Sequence, residues 1–513
     1  MHPLAKLDHK FVWHPFTQMR DWLKREPIVI ASGKGAVLRD VKGREYLDAN
    51  ASIWTNLHGH RHPRINAAIR RQLQKISHSS ALGFANEPAS LLAKRLVTAA
   101  GQAPRKSNIV NRKLEKVFYS DDGSTALEVA LKLAYEFTRR TRGKKSESRF
   151  LSLDGAYHGD TIGAVSLGHI DLFHKAYGGM LFNTDKVMSP YCYRCPFNRA
   201  KPERNDARKY RKCNWECVGL VEKKFSVQKK KGNTYAAFVF EPLMQGAAGM
   251  IPQPSGWLAQ VTDIARRHGA LLIADEVMTG FGRTGVTCHV DEAAIAKVTQ
   301  SPAEAKLFAC SRVDITPDFL CLAKGLAGGY LPMAATLTTQ KVFDAFLGEY
   351  EKFKTFFHGH SFTGNQLGAA AGLASLELLQ TRQSVQQRAN LQQWLQDELS
   401  LLWSLPNVGD IRQVGLVAGI ELVKDWQTRK PFALRERAGI RICEAMEKRG
   451  VLTRPIGNVI VLMPPYCTTY SQLRQMVSVL HDSIAEAFGS KSGFSKHLHP
   501  KTVKHRKLRP ASE

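Results

Sequence analysis

The chain has 513 residues, of which 43% are hydrophobic and 23% charged, and it carries a formal net charge of +28. That length predicts a large core and two or more domains, and those fractions exclude disordered and fibrous classes. No apolar run reaches the length of a membrane span, Met1-His2-Pro3-Leu4-Ala5-Lys6 lacks the apolar core of a secretion signal, and nine cysteines are too few for a disulfide scaffold, so a soluble cytoplasmic protein is expected.

Residues 1–50 read as a segment that joins a smaller domain, and 51–381 as a large domain. Between about 115 and 340, apolar strand-like runs alternate with helical patterns. The strands include Lys116–Tyr119, Arg149–Leu153, Ala236–Phe240 and Leu271–Ala274; one helix is expected over Ser124–Arg140, with Leu127, Leu131, Ala134 and Phe137 on one face. Such alternation predicts an α/β fold with a mostly parallel sheet wrapped by helices. Residues 382–488 read as a smaller α+β domain. It should hold a long helix, short strands near Gly415–Leu422 and Val459–Met463, and a closing helix over Ser471–Phe488. Segments 192–232 and 286–305 look inserted, and 489–513 reads as a basic disordered tail.

Several stretches carry chemistry. Gly123 and Ser124 follow a strand and open a helix, where free amides and the helix dipole converge on one point, as a phosphate requires; alone, such a pair is usually a plain N-cap. Tyr157, in Gly155-Ala156-Tyr157-His158-Gly159, could cover a planar ring or simply pack a turn; His158 reads as structural. Asp275 ends the run Leu271–Ala274, and Lys324 follows Phe319–Leu322 after 49 positions. A lysine amine and a fixed carboxylate suit pyridoxal 5'-phosphate. The amine holds the aldehyde, and the carboxylate keeps the pyridine nitrogen protonated.

In this order, Gly123-Ser124, Tyr157-His158-Gly159, Asp275-Glu276-Val277 with Gly280-Phe281-Gly282-Arg283-Thr284-Gly285, Lys324-Gly325 and His358-Gly359-His360-Ser361-Phe362 resemble the class III, fold-type I, pyridoxal-phosphate aminotransferases. The resemblance spans roughly residues 8–488. It implies that Lys324 carries the cofactor and moves the proton, that Asp275 pairs with the ring nitrogen, that Tyr157 covers the ring, and that Gly123 and Ser124 hold the phosphate. It also implies a homodimer in which His360 and Ser361 reach the neighbouring subunit's phosphate.

Trp13-His14-Pro15-Phe16-Thr17-Gln18-Met19, Ser52-Ile53-Trp54 and Thr453-Arg454-Pro455-Ile456-Gly457 resemble the branch of that family that converts 8-amino-7-oxononanoate to 7,8-diaminononanoate in biotin biosynthesis. That acceptor is a long apolar acid with a distal carboxylate. Trp54 would suit the channel wall and Arg454 a bidentate clamp, with Phe16, Tyr157 and Gly359 completing the substrate site. Members that use S-adenosylmethionine often carry a tyrosine where this chain has Phe16, and two tryptophans where it has Ile53-Trp54. The forms Pro15-Phe16-Thr17-Gln18-Met19 and Gly409-Asp410-Ile411-Arg412-Gln413 resemble the subgroup whose donor is L-lysine.

Cys192, Cys195, Cys213 and Cys217 have a spacing that could hold zinc, or that could mark two reduced turns; the implied chemistry needs no metal. The rival readings are another class III aminotransferase acting on an ω-amino acid, and a basic nucleic-acid-binding protein on a degenerate enzyme scaffold. The intact set of Lys324, Asp275, Tyr157, Gly123 and Ser124 counts against the second.

Overall fold

The computed structural model of the protein describes residues 1–101, 113–143, 148–286 and 305–489. The expected basic tail and all but the ends of the expected 286–305 insert lie outside them. Among the described residues no helix is long and apolar enough to cross a membrane.

After two short helices, Pro3–Phe11 and Met19–Trp22, comes a short antiparallel ribbon, β1 (Ile30–Lys34), β2 (Val37–Asp40) and β3 (Glu45–Asp48). The main sheet follows: β4 (Leu114–Ser120), β5 (Ser148–Leu153), β6 (Asp185–Val187) and β7 (Thr234–Phe240). After the small hairpin β8 (Met244–Gln245) and β9 (Ile251–Pro252) it continues with β10 (Leu271–Asp275), β11 (Phe319–Leu322) and β12 (Ala334–Thr339). The spatial order is β4-β12-β11-β10-β7-β5-β6, and every strand but β12 runs in one direction. A third sheet is built of β13 (Val408–Val414), β14 (Val417–Asp425) and β15 (Lys430–Pro431). Beyond β16 (Val451–Leu452), which pairs with β3, it is completed by β17 (Pro455–Ile456) and β18 (Val459–Leu462).

Both faces of the main sheet are buried, so its strands read as continuous apolar runs. Alternate residues enter opposite layers. Val239, Ile273, Phe319 and Cys321 pack beneath the helix Gly123–Arg142, through Ala126, Leu127, Ala130, Ala134 and Phe137. Phe238, Phe240, Leu272, Ala274, Leu320 and Leu322 face the other layer, with Val221, Phe225, Trp257 and Val261. Helix Gly123–Arg142 is fixed at its start by a capping box, in which Asp122 accepts from the Thr125 amide at 2.9 Å and the Thr125 hydroxyl accepts in return from the Asp122 amide.

The segment expected as an insert at 192–232 divides in two. Its second half is a helix, Glu216–Lys230, that buries Cys217, Val218, Val221 and Phe225 in the main core. Those apolar positions recur at helical spacing, and the run of lysines on the outer face hides them in a composition count. Cys192, Cys195, Cys213 and Cys217 are free thiols, and among the described residues no group of His, Cys, Asp or Glu is placed to hold a metal ion.

Candidate active site

The carboxyl ends of β4, β5, β7, β10 and β11 open on one side of the sheet, where a ligand meets loop amides and helix N-termini. A cavity of about 750 Å³ lies there, lined among others by Gly123, Ser124, Tyr157, His158, Glu241, Asp275 and Lys324. Sheet register sets the central pair. Asp275 on β10 stands beside Cys321 on β11, and Lys324 follows three positions later. The 49 positions between Asp275 and Lys324 collapse because parallel neighbours share one edge.

Asp275 is buried and held at both oxygens. The Val277 amide donates to Oδ1 at 3.0 Å, and His158 Nδ1 donates to Oδ2 at 2.7 Å. A carboxylate fixed in this way is pre-oriented to meet a ring N–H. Lys324 is half-buried at a positive φ of 43°, with Nζ 4.5 Å from the centre of the Trp54 ring. Desolvation pulls its pKa below the ordinary lysine value, against the raising charges of Asp275 and Glu241. The amine is therefore more often the free nucleophile than a surface lysine would be.

Trp54 is presented by an unusual turn. Ala51, Ser52, Ile53 and Trp54 all have positive φ, from 45° to 69°, a left-handed path that costs L-residues roughly 1–2 kcal/mol each. Buried Asp48 pins it by accepting from the Ser52 amide at 3.0 Å and the Ser52 hydroxyl at 2.8 Å, while Trp54 Nε1 donates to Asn50 at 2.8 Å. Strain held by surrounding hydrogen bonds marks a position whose side-chain direction matters.

The phosphate end is a cradle between two turns. The Thr161 amide donates to Ser124 Oγ at 2.9 Å, and the two hydroxyls lie 2.8 Å apart. Gly159 has φ of 124°, and a Cβ there would lie 2.3 Å from Ser124 Oγ; a Cβ on Gly123 would lie 2.7 Å from Val277. Only glycine permits both approaches. First-turn amides of the helix, two hydroxyls, a buried carboxylate, a desolvated lysine and a tyrosine form a donor set that fits pyridoxal phosphate. The ring of Tyr157 runs parallel to His174, at 10° between planes, and its hydroxyl donates to Asp160 at 2.6 Å.

The structure thus brings together Gly123, Ser124, Tyr157, Asp275, Lys324 and Trp54. Phe16 stands at the rim, its ring 6.4 Å from Tyr157 and 5.3 Å from Phe173. Arg454 is exposed beside β17 and does not line the cavity. Gly359 and Ser361 are exposed on a separate loop, where His360 Nδ1 lies 3.7 Å from Asp121 of its own chain. Sequence reasoning passed over Glu241. Its signal was present, since it ends the run Ala236–Phe240 as Asp275 ends Leu271–Ala274.

The profile of the family described as Aminotransferase class-III matches residues 19–296 and 303–484. The chain belongs to that family. It is 45% identical over 486 residues to the adenosylmethionine-8-amino-7-oxononanoate aminotransferase of Geobacter sulfurreducens, covering 95% of this chain and 98% of the relative. The namesake from Nitratidesulfovibrio vulgaris is also 45% identical, over 94% of this chain and 81% of the relative. Among solved structures, the namesake from Methanocaldococcus jannaschii superposes with a TM-score of 0.80 at 37% identity, covering 94% and 98% of the two chains. An amine transaminase from an uncultivated Pseudomonas species, solved in its PLP-bound form, gives a TM-score of 0.80 at 30% identity, covering 93% and 98%. This aminotransferase therefore has the fold-type I α/β architecture expected of it.

Proposed function

We propose that this aminotransferase converts 8-amino-7-oxononanoate to 7,8-diaminononanoate in biotin biosynthesis, with pyridoxal 5'-phosphate in the cavity. The observation that carries the reading is the Asp275–Lys324 pair in one cavity within a chain similar to those relatives over almost its whole length. When bound, the cofactor supplies an aldehyde to hold the amino group and a protonated ring to accept electrons. Lys324 Nζ would hold the cofactor at its aldehyde and, once displaced by the incoming substrate amine, would carry the proton that leaves the substrate carbon. Asp275 holds the proton on the ring nitrogen, Tyr157 covers the ring, and Gly123 and Ser124 bind the phosphate. Trp54 forms the apolar wall of the acceptor channel with Phe16 at its mouth; Gly359, which lies outside this chain's own cavity, borders the site of the second copy in the homodimer, and Arg454, also outside the cavity, meets the distal carboxylate of a long substrate that extends beyond it.

The working unit is a homodimer. Leu82, Phe84, Phe357 and Phe362 are exposed, and their segments are tied into one patch where Asn86 donates to the Gly364 carbonyl at 3.0 Å and Phe362 lies 4.7 Å from His78. Apolar surface of that kind calls for a cover, and a second copy supplies it while carrying His360 and Ser361 towards the partner's phosphate. A cytoplasmic setting accords with the free thiols among the described cysteines.

The donor is proposed to be L-lysine. Phe16 offers no hydroxyl to a polar donor, and Ile53 offers no ring face to a sulfonium; one such cation–π contact contributes roughly 0.5–2 kcal/mol. The names of the relatives favour S-adenosylmethionine instead. Single-turnover mixing of cofactor-loaded protein with each donor, read by visible absorbance and followed by addition of the oxo acid, tests both halves. Faster conversion with S-adenosylmethionine overturns the lysine assignment, and no diamine from 8-amino-7-oxononanoate overturns the acceptor.

A further inference from the structure

Beside the lysine and the aspartate, the cavity holds two groups that the mechanism leaves unused. Glu241 is 6% exposed and His158 3% exposed. The Gly246 amide donates to Glu241 Oε2 at 2.7 Å, whereas Oε1 is buried with no hydrogen-bond partner. His158 gives Nδ1 to Asp275, whereas Nε2 is also buried with no partner. Both residues line the same cavity. A buried acceptor and a buried ring nitrogen left unbonded in one cavity each carry a desolvation cost, which one shared water removes for both.

We propose that Glu241 is a positioning residue for the ring-nitrogen carboxylate: a bridging water accepts from His158 Nε2–H and donates to Glu241 Oε1, so that His158 stays doubly protonated between Glu241 and Asp275. The proposal rests on the reading that pyridoxal phosphate occupies this cavity. Asp275 then faces the ring with an imidazolium fixed behind it, and the cluster of two carboxylates and one cation keeps a net negative charge. The titratable groups that bear on it are Asp275 on β10, Lys324 beyond β11, and His169 and His174, which share a charge repulsion with His158; Arg283 acts on Lys324 in turn. Electrostatics agree in direction. Burial lifts Glu241 to about 7; the His158 charge opposes the rise, Asp275 adds to it, and the Gly246 and Tyr157 amides near the carboxylate oppose it further. Burial alone would lower His158, but the hydrogen bond and charge of Asp275, and then the charge of Glu241, hold it above the ordinary imidazole value.

The test uses full-length holoenzyme as wild type, Glu241→Gln, Glu241→Asp, His158→Asn and the Glu241→Gln/His158→Asn double variant. The His158 imidazole is titrated by nitrogen-15 NMR, its signal assigned by its loss in His158→Asn, and kcat and KM are followed against pH. Glu241→Gln removes a negative charge, so the His158 midpoint is expected to fall by about one pH unit, with Glu241→Asp between the two. The alkaline limb of kcat should move acidward with it, while KM for the oxo acid stays within about threefold. On the His158→Asn background the same substitution should move the profile no further. An unmoved His158 midpoint in both Glu241 variants overturns the proposal, as does a full Glu241 effect without His158. The NMR midpoint needs no turnover, so it stands apart from failure of the acceptor assignment.

Discussion

At the scale of single residues, Lys324 and Arg454 sit in opposite surroundings. Lys324 sits in the cavity beside Trp54, with its pKa lowered by burial. Among the described residues no other lysine lines that cavity. Lys324→Ala is expected to reduce transamination at least about a thousandfold, because the same amine binds the aldehyde and moves the proton. Circular dichroism should show an unchanged fold, and turnover at equal cofactor loading checks the loss. Arg454 is exposed, so its value depends on a substrate that reaches it. A charge-assisted pair to a carboxylate contributes roughly 1.5–3 kcal/mol, or about ten- to a hundredfold in binding. Arg454→Ala should therefore raise KM for the oxo acid by that factor and leave the donor's KM nearly unchanged. Equal weakening of both half-reactions would remove the clamp role.

At the scale of elements, buried Glu276 ties β10 to the helix Ala309–Arg312. It accepts from the Ala309 amide at 2.6 Å and the Cys310 amide at 2.8 Å, which joins the end of the Asp275 strand to the far side of the 287–304 segment. Burial lifts its pKa to about 7, despite those two amides. A carboxyl whose folded pKa lies above its unfolded value binds its proton more tightly in the native state. Its contribution to stability is thus highest below the ordinary carboxylate range and is lost as pH rises towards 7. Glu276→Gln keeps one acceptor, gives up the other, and cannot ionise. The variant should melt below wild type at pH 5, and that gap should narrow by about 3 kcal/mol at pH 8. Calorimetry at the two values checks the direction; a gap that does not narrow with pH would show that the amides hold Glu276 ionised throughout. The left-handed turn Ala51–Trp54 is the other element with a local cost, and the hydrogen bonds of Asp48 and Asn50 offset it.

At the scale of the molecule, Leu82, Phe84, Phe357 and Phe362 form an exposed apolar patch that a single chain leaves uncovered. Phe357→Asp combined with Phe362→Asp should shift sedimentation from dimer towards monomer, since each substitution places a charge in an apolar interface. If His360 and Ser361 act across the interface as proposed, activity should fall with dimer content. A stable, fully active monomer would refute both the interface and those two roles.

The sequence by itself determined the layered part of this protein. Strands buried on both faces must be apolar throughout, and a helix covering them must repeat its apolar residues at 3.6, so β4, β5, β7, β10 and the helix Gly123–Arg142 were legible within a few residues. Lys324, Asp275, Gly123 and Ser124 were legible only in company, since a lysine or an acid at a strand end is usually a surface residue and Gly-Ser before a helix usually a plain N-cap; their order along the chain is what resembles the family. What the tertiary structure decided was everything that depends on register and on neighbours distant in the chain. The helix Glu216–Lys230 enters the core although its lysines disguise it. Trp54 points at Lys324 only because four residues follow a left-handed path that no propensity predicts. His158 becomes a partner of Asp275, 117 positions away, and Glu241 joins them, because β5, β7 and β10 end at one edge of the sheet. Periodicity is a local property of a chain. The meeting of strand ends is set by pairing across the whole sheet.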